Sequence, residues 1–448
     1  MNKFIDFLRD YTSGKNVCIL GFGREGKSTY HKLAQYCSCD SITIADLNPV
    51  DRKANSLPES VHLITGESYQ DSLSNFDIVF KSPGIVLKNP PHQLDCEITS
   101  ETQIFFTVFA SQIIGITGTK GKSTVSSLIY HILKESGKDT LFAGNIGIPV
   151  FDIAEDVTEN TKIVCELSCH QLEYMTVSPH IAVFLNLYEE HLDHYGTLEN
   201  YYAAKKNIYL HQSDYDMLYC NLDIFPHNIA SVGVSISNNN PDADIFVENG
   251  KIHDSDDNEY IIPTDKIKLL GVHNHYNIAV AWDVCRHFVS ADVMTDALCS
   301  FNPLAHRLEF VDEIAGVRYY DDSISTACAT AIEALKSVPN AGTILLGGMD
   351  RGIDYSPLLN YLATTYVNII CMEASGRRIY DMIMTAEDFS SPERVHYVNH
   401  LDEAVKLAAE ITPGGKSVVL SPAAASYGIF KIFEERGDVF KQLVADLK

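Results

Sequence analysis

The residues best suited to chemistry stand together in Thr117-Gly118-Thr119-Lys120-Gly121-Lys122-Ser123-Thr124. Glycines let backbone amides turn toward an anion, a lysine adds a point charge, and hydroxyls can reach a divalent cation. The common phosphate-loop pattern G-x-x-x-x-G-K-[ST] asks for glycine at 116, where Ile116 stands. A chance glycine–lysine turn is the plain alternative. The flanking elements favour a loop built for phosphate. Residues 112–117 form a short apolar, β-branched run that reads as a buried strand. Val125, Leu128, Ile129, Ile132 and Leu133 then recur on one helical face, and Gly137 suits the stop. In this reading Lys122 reaches β/γ-phosphate oxygens, and Ser123 or Thr124 touches Mg²⁺.

A second glycine turn precedes it. Residues 17–20 read as a strand, Gly21-Phe22-Gly23-Arg24-Glu25-Gly26 fits G-x-G-x-x-G, a helix runs to about Tyr36, and a strand at 42–45 ends in Asp46. This is a βαβ unit whose acid comes slightly later than the usual ~20 residues. It reads either as a tight strand-to-helix turn or as a helix N-terminus holding a diphosphate. A strand at 77–80 leads into Lys81-Ser82-Pro83-Gly84, again a ligand edge, and residues 97–109 read as a link. Further along, Gly144-Asn145-Ile146-Gly147 makes a small polar turn. The strand 162–167 carries Glu166, which reads as a Mg²⁺ ligand or a helix cap. The strand 181–187 opens into Glu189, Glu190, His191, Asp193 and His194, a second metal site or a solvated acidic loop. Residues 201–208 read as helical, 236–260 as hairpin and turn, and His273-Asn274-His275-Tyr276-Asn277 as a helix start. From about 304, strands at 317–320, 343–346, 367–371 and 417–420 alternate with helices, the last from about 429 to 447. This describes an open, mostly parallel sheet.

The chain has 448 residues, enough for two to four domains. With 34 Lys and Arg against 59 Asp and Glu its net charge is −25, which argues against broad binding to nucleic acid or anionic membranes. Eleven cysteines in no framework or zinc pattern suit a reducing cytosol. No signal peptide and no membrane span are expected.

Taken together, TGTKGKST (117–124), GNIG (144–147), ELSCHQLE (166–173), NLYEEHLDHYG (186–196), AAKKNIY (203–209), HNHYN (273–277), AHRLE (305–309), DDS (321–323), LLGGMDRG (345–352) and SPAAASYGIFKIFEERG (421–437) resemble the Mur ligases, in family order over nearly the whole chain. Within them they are most similar to the MurD branch. The resemblance implies an α/β fold of three domains: a Rossmann-like UDP-substrate domain (1–102), a central P-loop ATPase domain (103–303) and a Rossmann-like C-terminal glutamate-ligase domain (304–448). It implies that ATP phosphorylates the carboxylate of UDP-N-acetylmuramoyl-L-alanine and that glutamate's amine attacks the acyl phosphate. Oxide is a hopeless leaving group and phosphate a good one, so the protein has mainly to position and neutralise charge. Carried over by position, Gly118, Thr119, Lys120, Gly121, Lys122, Ser123 and Thr124 cradle ATP phosphates. Asn274, Asn277, Arg307 and Asp322 also lie on the ATP side. Glu166, His191 and Ser123 are metal-associated, and Lys205 matches a lysine carbamylated in this family. Arg24, Glu25, Asp46, Leu47, Asn48, Gly84 and Asn145 are implied for the UDP substrate, and Thr326, Arg351, Ser426, Tyr427 and Phe433 for glutamate. A monomer working in the cytoplasm on ATP, Mg²⁺ and these substrates is expected.

One stretch departs from the family. Where the branch reads N-D-S-K-[AS]-T-N, this chain has Asp321-Asp322-Ser323-Ile324-Ser325-Thr326-Ala327, and Arg351 stands where a second lysine is usual. Arginine and lysine differ in geometry, so the pocket is rebuilt. D-glutamate ranks ahead of L-glutamate, the substrate of MurD-like enzymes paired with an epimerase. Three other readings fit less of the chain. Folylpolyglutamate synthetase-like ligases lack the first domain. An NAD-dependent oxidoreductase built on 16–48 leaves Glu166 and the 117–124 loop unexplained. A silent partner subunit is opposed by intact Lys122, Glu166, His191 and Lys205.

Overall fold

The computed structural model describes residues 2–256, 258–386 and 389–448. Their contacts divide the chain into two compact units, 2–264 with 276–298, and 265–275 with 299–448. Among the described residues the strands form three sheets.

The first unit holds two sheets. The smaller is parallel throughout, in the spatial order His62–Thr65, Ser41–Asp46, Asn16–Leu20, Ile78–Lys81, Glu97–Thr99. The order reverses between Asn16–Leu20 and Ile78–Lys81, the switch point where open α/β sheets bind ligands. The larger sheet runs Glu259–Ile261, Lys251–Asp254, Ile245–Glu248, Val232–Asn238, Met217–Asn221, Ile181–Phe184, Ile113–Thr117, Lys162–Glu166, Thr140–Gly144. Its first two steps are antiparallel and the rest parallel. The Ile113–Thr117 strand lies inside this sheet, buried at every position. A helix, Lys122–Glu135, follows it. The five apolar residues of its expected face are fully buried, each worth roughly 1.5–3 kcal/mol of transfer free energy. Gly137, one residue past the Ser136 cap, takes φ +77°, the left-handed stop expected there.

The second unit holds one sheet, ordered Glu309–Ile314, Val317–Asp321, Ser417–Leu420, Ala341–Leu346, Asn368–Met372, Val395–Val398. Only its first pair is antiparallel. Apolar clusters cover both faces, one around Ile344, Leu346 and Ile369, the other around Val418, Leu420 and Ile370. Alternate residues of a central strand thus point to opposite helical layers.

Three readings need correction. Residues 97–109 are not a link: Glu97–Thr99 is an edge strand of the first sheet and Glu101–Phe109 a helix capped by Ser100, whose Oγ accepts the Gln103 N–H. The last helix spans Phe433–Ala445 and not 429–447, because Ile429 and Ile432 are half exposed and Ile432 is extended. The 236–260 stretch begins on the end of a parallel strand, Val232–Asn238, and is antiparallel hairpin only from Ile245 to Ile261.

Candidate active site

The Gly118–Thr124 loop leaves the C-terminal end of Ile113–Thr117, and the backbone shows why glycine is needed. Gly118 has φ +155°, and a Cβ there would meet Leu185 Cβ at 2.9 Å. Gly121 has φ +85°, and its Cβ would meet Asn277 Oδ1 at 2.9 Å. Asn186, at the end of the neighbouring strand, braces the turn: its Oδ1 accepts the Thr119 and Lys120 N–H groups at 3.0 and 2.8 Å, and its Nδ2 donates to the Lys120 carbonyl at 2.9 Å. Tyr201 adds a hydroxyl contact to Thr119 Oγ1 at 3.0 Å.

Two ammonium groups converge on one carbonyl. Lys122 Nζ donates to the Gly118 and Thr119 carbonyls at 2.9 and 3.0 Å, and Lys205 Nζ donates to the Gly118 carbonyl at 2.8 Å. Lys205 is 1% exposed and lies 5.0 Å from the Tyr201 ring centroid. Burial, then the nearby Lys122 charge, pushes its pKa down to about 7. Burial lowers Lys122 as well, against the pull of Glu166 and Glu190. Glu166 ends the Lys162–Glu166 strand at 1% exposure and accepts from Asn145 Nδ2 at 2.7 Å. Its carboxylate and the Ser123 hydroxyl are hard oxygen donors that suit Mg²⁺. An ammonium at 205 does not suit a cation, whereas a carbamate there would supply the missing oxygens.

The acidic and histidine cluster divides. Glu190 pairs with Lys120, and exposed His191, at φ +57°, lies 3.9 Å from Glu190. His194 instead approaches Glu173 at 3.3 Å, which also takes Lys81 at 3.3 Å. His170 stands between, its ring 5.0 Å from His191 and 4.4 Å from His194. Burial and these two rings push its pKa down to about 4, so it is neutral at pH 7.

The first glycine turn is built from the same parts, differently charged. Gly21 has φ +91°, and a Cβ at Gly26 would run into the Gly21 carbonyl oxygen, which fixes the close approach of helix to strand. Asp46 is spent on this turn: one oxygen accepts the Phe22 N–H at 2.7 Å, the other the Asn48 N–H at 2.8 Å. Arg24 donates to the Asn145 and Gly147 carbonyls at 2.9 and 3.4 Å. Glu25 accepts from Gln171 at 2.9 Å, and burial raises its pKa to about 7. Leu47, Asn48 and Gly84 are exposed at the same sheet edge. Arg24 and Asn145 are thus brought together, Asn145 joins Arg24 to Glu166, and Glu25 and Asp46 bond elsewhere around the same turn.

In the second unit three loops meet at the C-terminal edge of the parallel strands. Arg436, fully buried, ties two of them: its guanidinium donates to Ser323 Oγ and the Ser323 carbonyl at 3.0 and 2.8 Å and to the Ala424 carbonyl at 3.0 Å. The Met349 N–H donates to the Ala425 carbonyl at 2.8 Å and adds the third loop. These loops carry Thr326, Arg351, Ser426 and Tyr427, and Phe433 opens the last helix with its carbonyl accepting from Ser323 Oγ. Asp322 is buried and its pKa is raised to about 6 by that burial, while Ser325, Ser421 and the Leu308 N–H donate to it. Asn274, Arg307 and Asp322 belong to this unit, and the glycine–lysine loop and Asn277 to the other. Arg307 is flanked by His306 and Leu308 at φ +63° and +45°. His306 Nδ1 pairs with buried Asp321 at 2.7 Å. Sequence reasoning missed Asn186, Tyr201 and Arg436 as individual residues. Arg436 sits inside a quoted motif, but nothing local marks it as a tie between loops.

Comparison with known proteins shows which family shares these domains. Residues 116–285 match the Mur ligase middle domain and residues 306–424 the Mur ligase glutamate ligase domain. The chain is 31% identical to a UDP-N-acetylmuramoylalanine–D-glutamate ligase of Clostridium kluyveri, covering 100% of both chains, and 33% identical to the same-named enzyme of Clostridium acetobutylicum, covering 100% and 99%. Among solved structures it shares its fold with MurF ligase of Thermotoga maritima in complex with ADP (TM-score 0.58, 15% identity, 100% of both chains) and with MurC of the same organism (TM-score 0.59, 16% identity, 97% and 100%). On the strength of the full-length relatives, the chain belongs to the Mur ligase family.

Proposed function

We propose that the protein is the ATP-dependent ligase that joins glutamate to UDP-N-acetylmuramoyl-L-alanine in peptidoglycan precursor synthesis, releasing ADP and phosphate. The observation that carries this reading is the pair Lys122 and Lys205 on the Gly118 carbonyl, near buried Glu166. A phosphate entering the loop takes over the bonds that Lys122 now makes to the protein's own carbonyls. Lys122 then neutralises charge on the transferring phosphoryl group, and the backbone amides of 118–124 orient it. Bound Mg²⁺ would neutralise further phosphate charge, held by Glu166, Ser123 and a carbamylated Lys205, with His191 adjacent.

Carbamylation needs a neutral amine, and the low pKa of Lys205 provides one near pH 7. Converting that cation to an anion also removes its repulsion with Lys122. Arg24, Glu25, Asp46, Leu47, Asn48, Gly84 and Asn145 would take the nucleotide sugar, so the first glycine turn serves a diphosphate that stays intact. Asn274, Asn277, Arg307 and Asp322 complete the ATP side. Thr326, Arg351, Ser426, Tyr427 and Phe433 would hold glutamate, with D-glutamate favoured by the names of the relatives. We assign these roles to three domains, 1–102, 103–303 and 304–448. No helix among the described residues is long and apolar enough to cross a membrane. The enzyme is read here as a cytoplasmic monomer.

The test is ADP release by purified protein with ATP, Mg²⁺ and UDP-N-acetylmuramoyl-L-alanine, run with D- and L-glutamate separately. Release that requires D-glutamate is expected. Release without any amino acid refutes the ligase, and release with L-glutamate alone reverses the stereochemistry.

A further inference from the structure

The turn that presents Arg351 is held in an unusual way. The Gly352 N–H donates to Asp350 Oδ1 at 2.9 Å and Gly352 takes φ +71°, so residues 350–352 close tightly with Arg351 at the crest. The Asp350 carboxylate is gripped from the other side by Arg378, Nε to Oδ2 at 2.8 Å and Nη2 to Oδ1 at 2.7 Å. Nη2 donates again to the Ile353 carbonyl at 2.9 Å. The Arg378 guanidinium lies 4.7 Å from the centroid of Tyr355, whose hydroxyl donates to the Ala423 carbonyl at 3.3 Å, close to Ser426. Arg378 holds the Asp350 carboxyl below its ordinary pKa. Arg351 is exposed, and no hydrogen bond or ion pair joins its guanidinium to the described residues.

Three facts combine. The position where the MurD branch carries a lysine is Ile324, half-buried and unable to bind a carboxylate. The adjacent loop offers an arginine that is still free. The one carboxylate beside that arginine in sequence is committed to a planar two-point fork with a different arginine, the geometry in which a guanidinium holds carboxylate best. We propose that Arg378 is a positioning residue for amino-acid specificity. By sequestering Asp350 it keeps Arg351 free, and by closing the turn it aims Arg351, as the receptor for a carboxylate of the incoming dicarboxylic amino acid. The proposal rests on the ligase reading above. Without Arg378, Asp350 turns to its neighbour Arg351 and competes with the substrate for it.

The experiment is glutamate-dependent ADP release by the full-length wild type, Arg378→Ala, Asp350→Asn and the double variant. Arg378→Ala raises the glutamate KM about tenfold or more, with kcat and the ATP KM within about twofold, as expected for losing one charge-assisted carboxylate contact. In the double variant the asparagine still accepts the Gly352 N–H but carries no charge, so the glutamate KM returns most of the way to wild type. An unchanged KM in Arg378→Ala, or a double variant no better than it, overturns the proposal. Should Arg378→Ala fail to fold by its melting curve, Asp350→Asn alone decides: a glutamate KM no higher than wild type supports the proposal, and a tenfold rise overturns it. Glutamate-independent ADP release by the wild type overturns the ligase reading and this proposal with it. A glutamate-dependent wild type with an indifferent Arg378→Ala overturns this proposal alone.

Discussion

Two glycine turns in the first unit share a backbone plan and differ in charge. At Gly21–Gly26 an acid from the next strand, Asp46, accepts the Phe22 N–H, and the only cation on the motif, Arg24, reaches outward to the Asn145 carbonyl. At Gly118–Thr124 an uncharged amide, Asn186, braces the loop, while two lysines crowd one carbonyl. A turn whose amide is already shared with a carboxylate can hold an anion's edge but has little charge to stabilise bond breaking. A turn with a poised ammonium at Lys122 can do so. On the proposed reading, the same strand–glycine–helix unit grips one nucleotide and activates another, and the side chains around it set which.

The largest test of this contrast is Lys122→Ala. It should abolish ADP formation, a loss on the order of 10³-fold, as for other groups that neutralise transition-state charge; turnover near that of wild type would refute the assignment. Lys205→Ala comes next. Activity should fall and be partly restored by formate or acetate, which replace the carbamate's oxygens, whereas full activity in the bare variant would exclude the carbamate. The pH dependence has a definite sign. The Lys205 pKa is lowered to about 7, so the neutral amine that captures CO₂ gains as pH rises through 7. Stimulation by bicarbonate should grow from pH 6 to pH 8, and a flat response would count against it. The same shift opposes folding: with an unfolded value near 10.4, its penalty is greatest at pH 7 and below and fades as pH rises toward 10.

The contrast was only partly legible in the sequence. Strand, glycines, Lys122 and helix are contiguous, so local pattern sufficed to read the loop and its buried face. Lys205 reaches the Gly118 carbonyl across 87 positions, and the bond between Arg436 and Ser323 spans 113. No spacing rule encodes such meetings, and the family resemblance, not periodicity, pointed to Lys205. The helix expected from 429 failed for a different reason. Apolar residues at Ile429 and Ile432 imitate a helical face yet stay half exposed on the loop that leads to Phe433. At Asp46 the pattern marks the acid that ends the second strand, but not that its two oxygens accept the Phe22 and Asn48 N–H groups.

Smaller effects sharpen the comparison. Gly26→Ala should destabilise by roughly 1–3 kcal/mol, because the new methyl meets the Gly21 carbonyl; thermal denaturation would show it. The affinity of the lysine loop for ATP should survive in the same variant. Arg24→Ala should do least, raising the KM for the nucleotide sugar no more than about fivefold with kcat unchanged, since exposed contacts are worth little. A fall in kcat would mean instead that Arg24 acts on Glu166 through Asn145.

The two lysines on the Gly118 carbonyl also bear on how the enzyme lets go. An ammonium that leaves water for a phosphate gains the contact less its own hydration. One that leaves a backbone oxygen gains only the difference between two good partners. On the role proposed for Lys122, nucleotide affinity at this loop is held down by what the protein already offers itself. Once the terminal phosphate has moved to the other substrate, the carbonyls of Gly118 and Thr119 stand ready to reclaim Lys122, so the loop's resting bonds favour departure of the spent nucleotide and the start of another cycle.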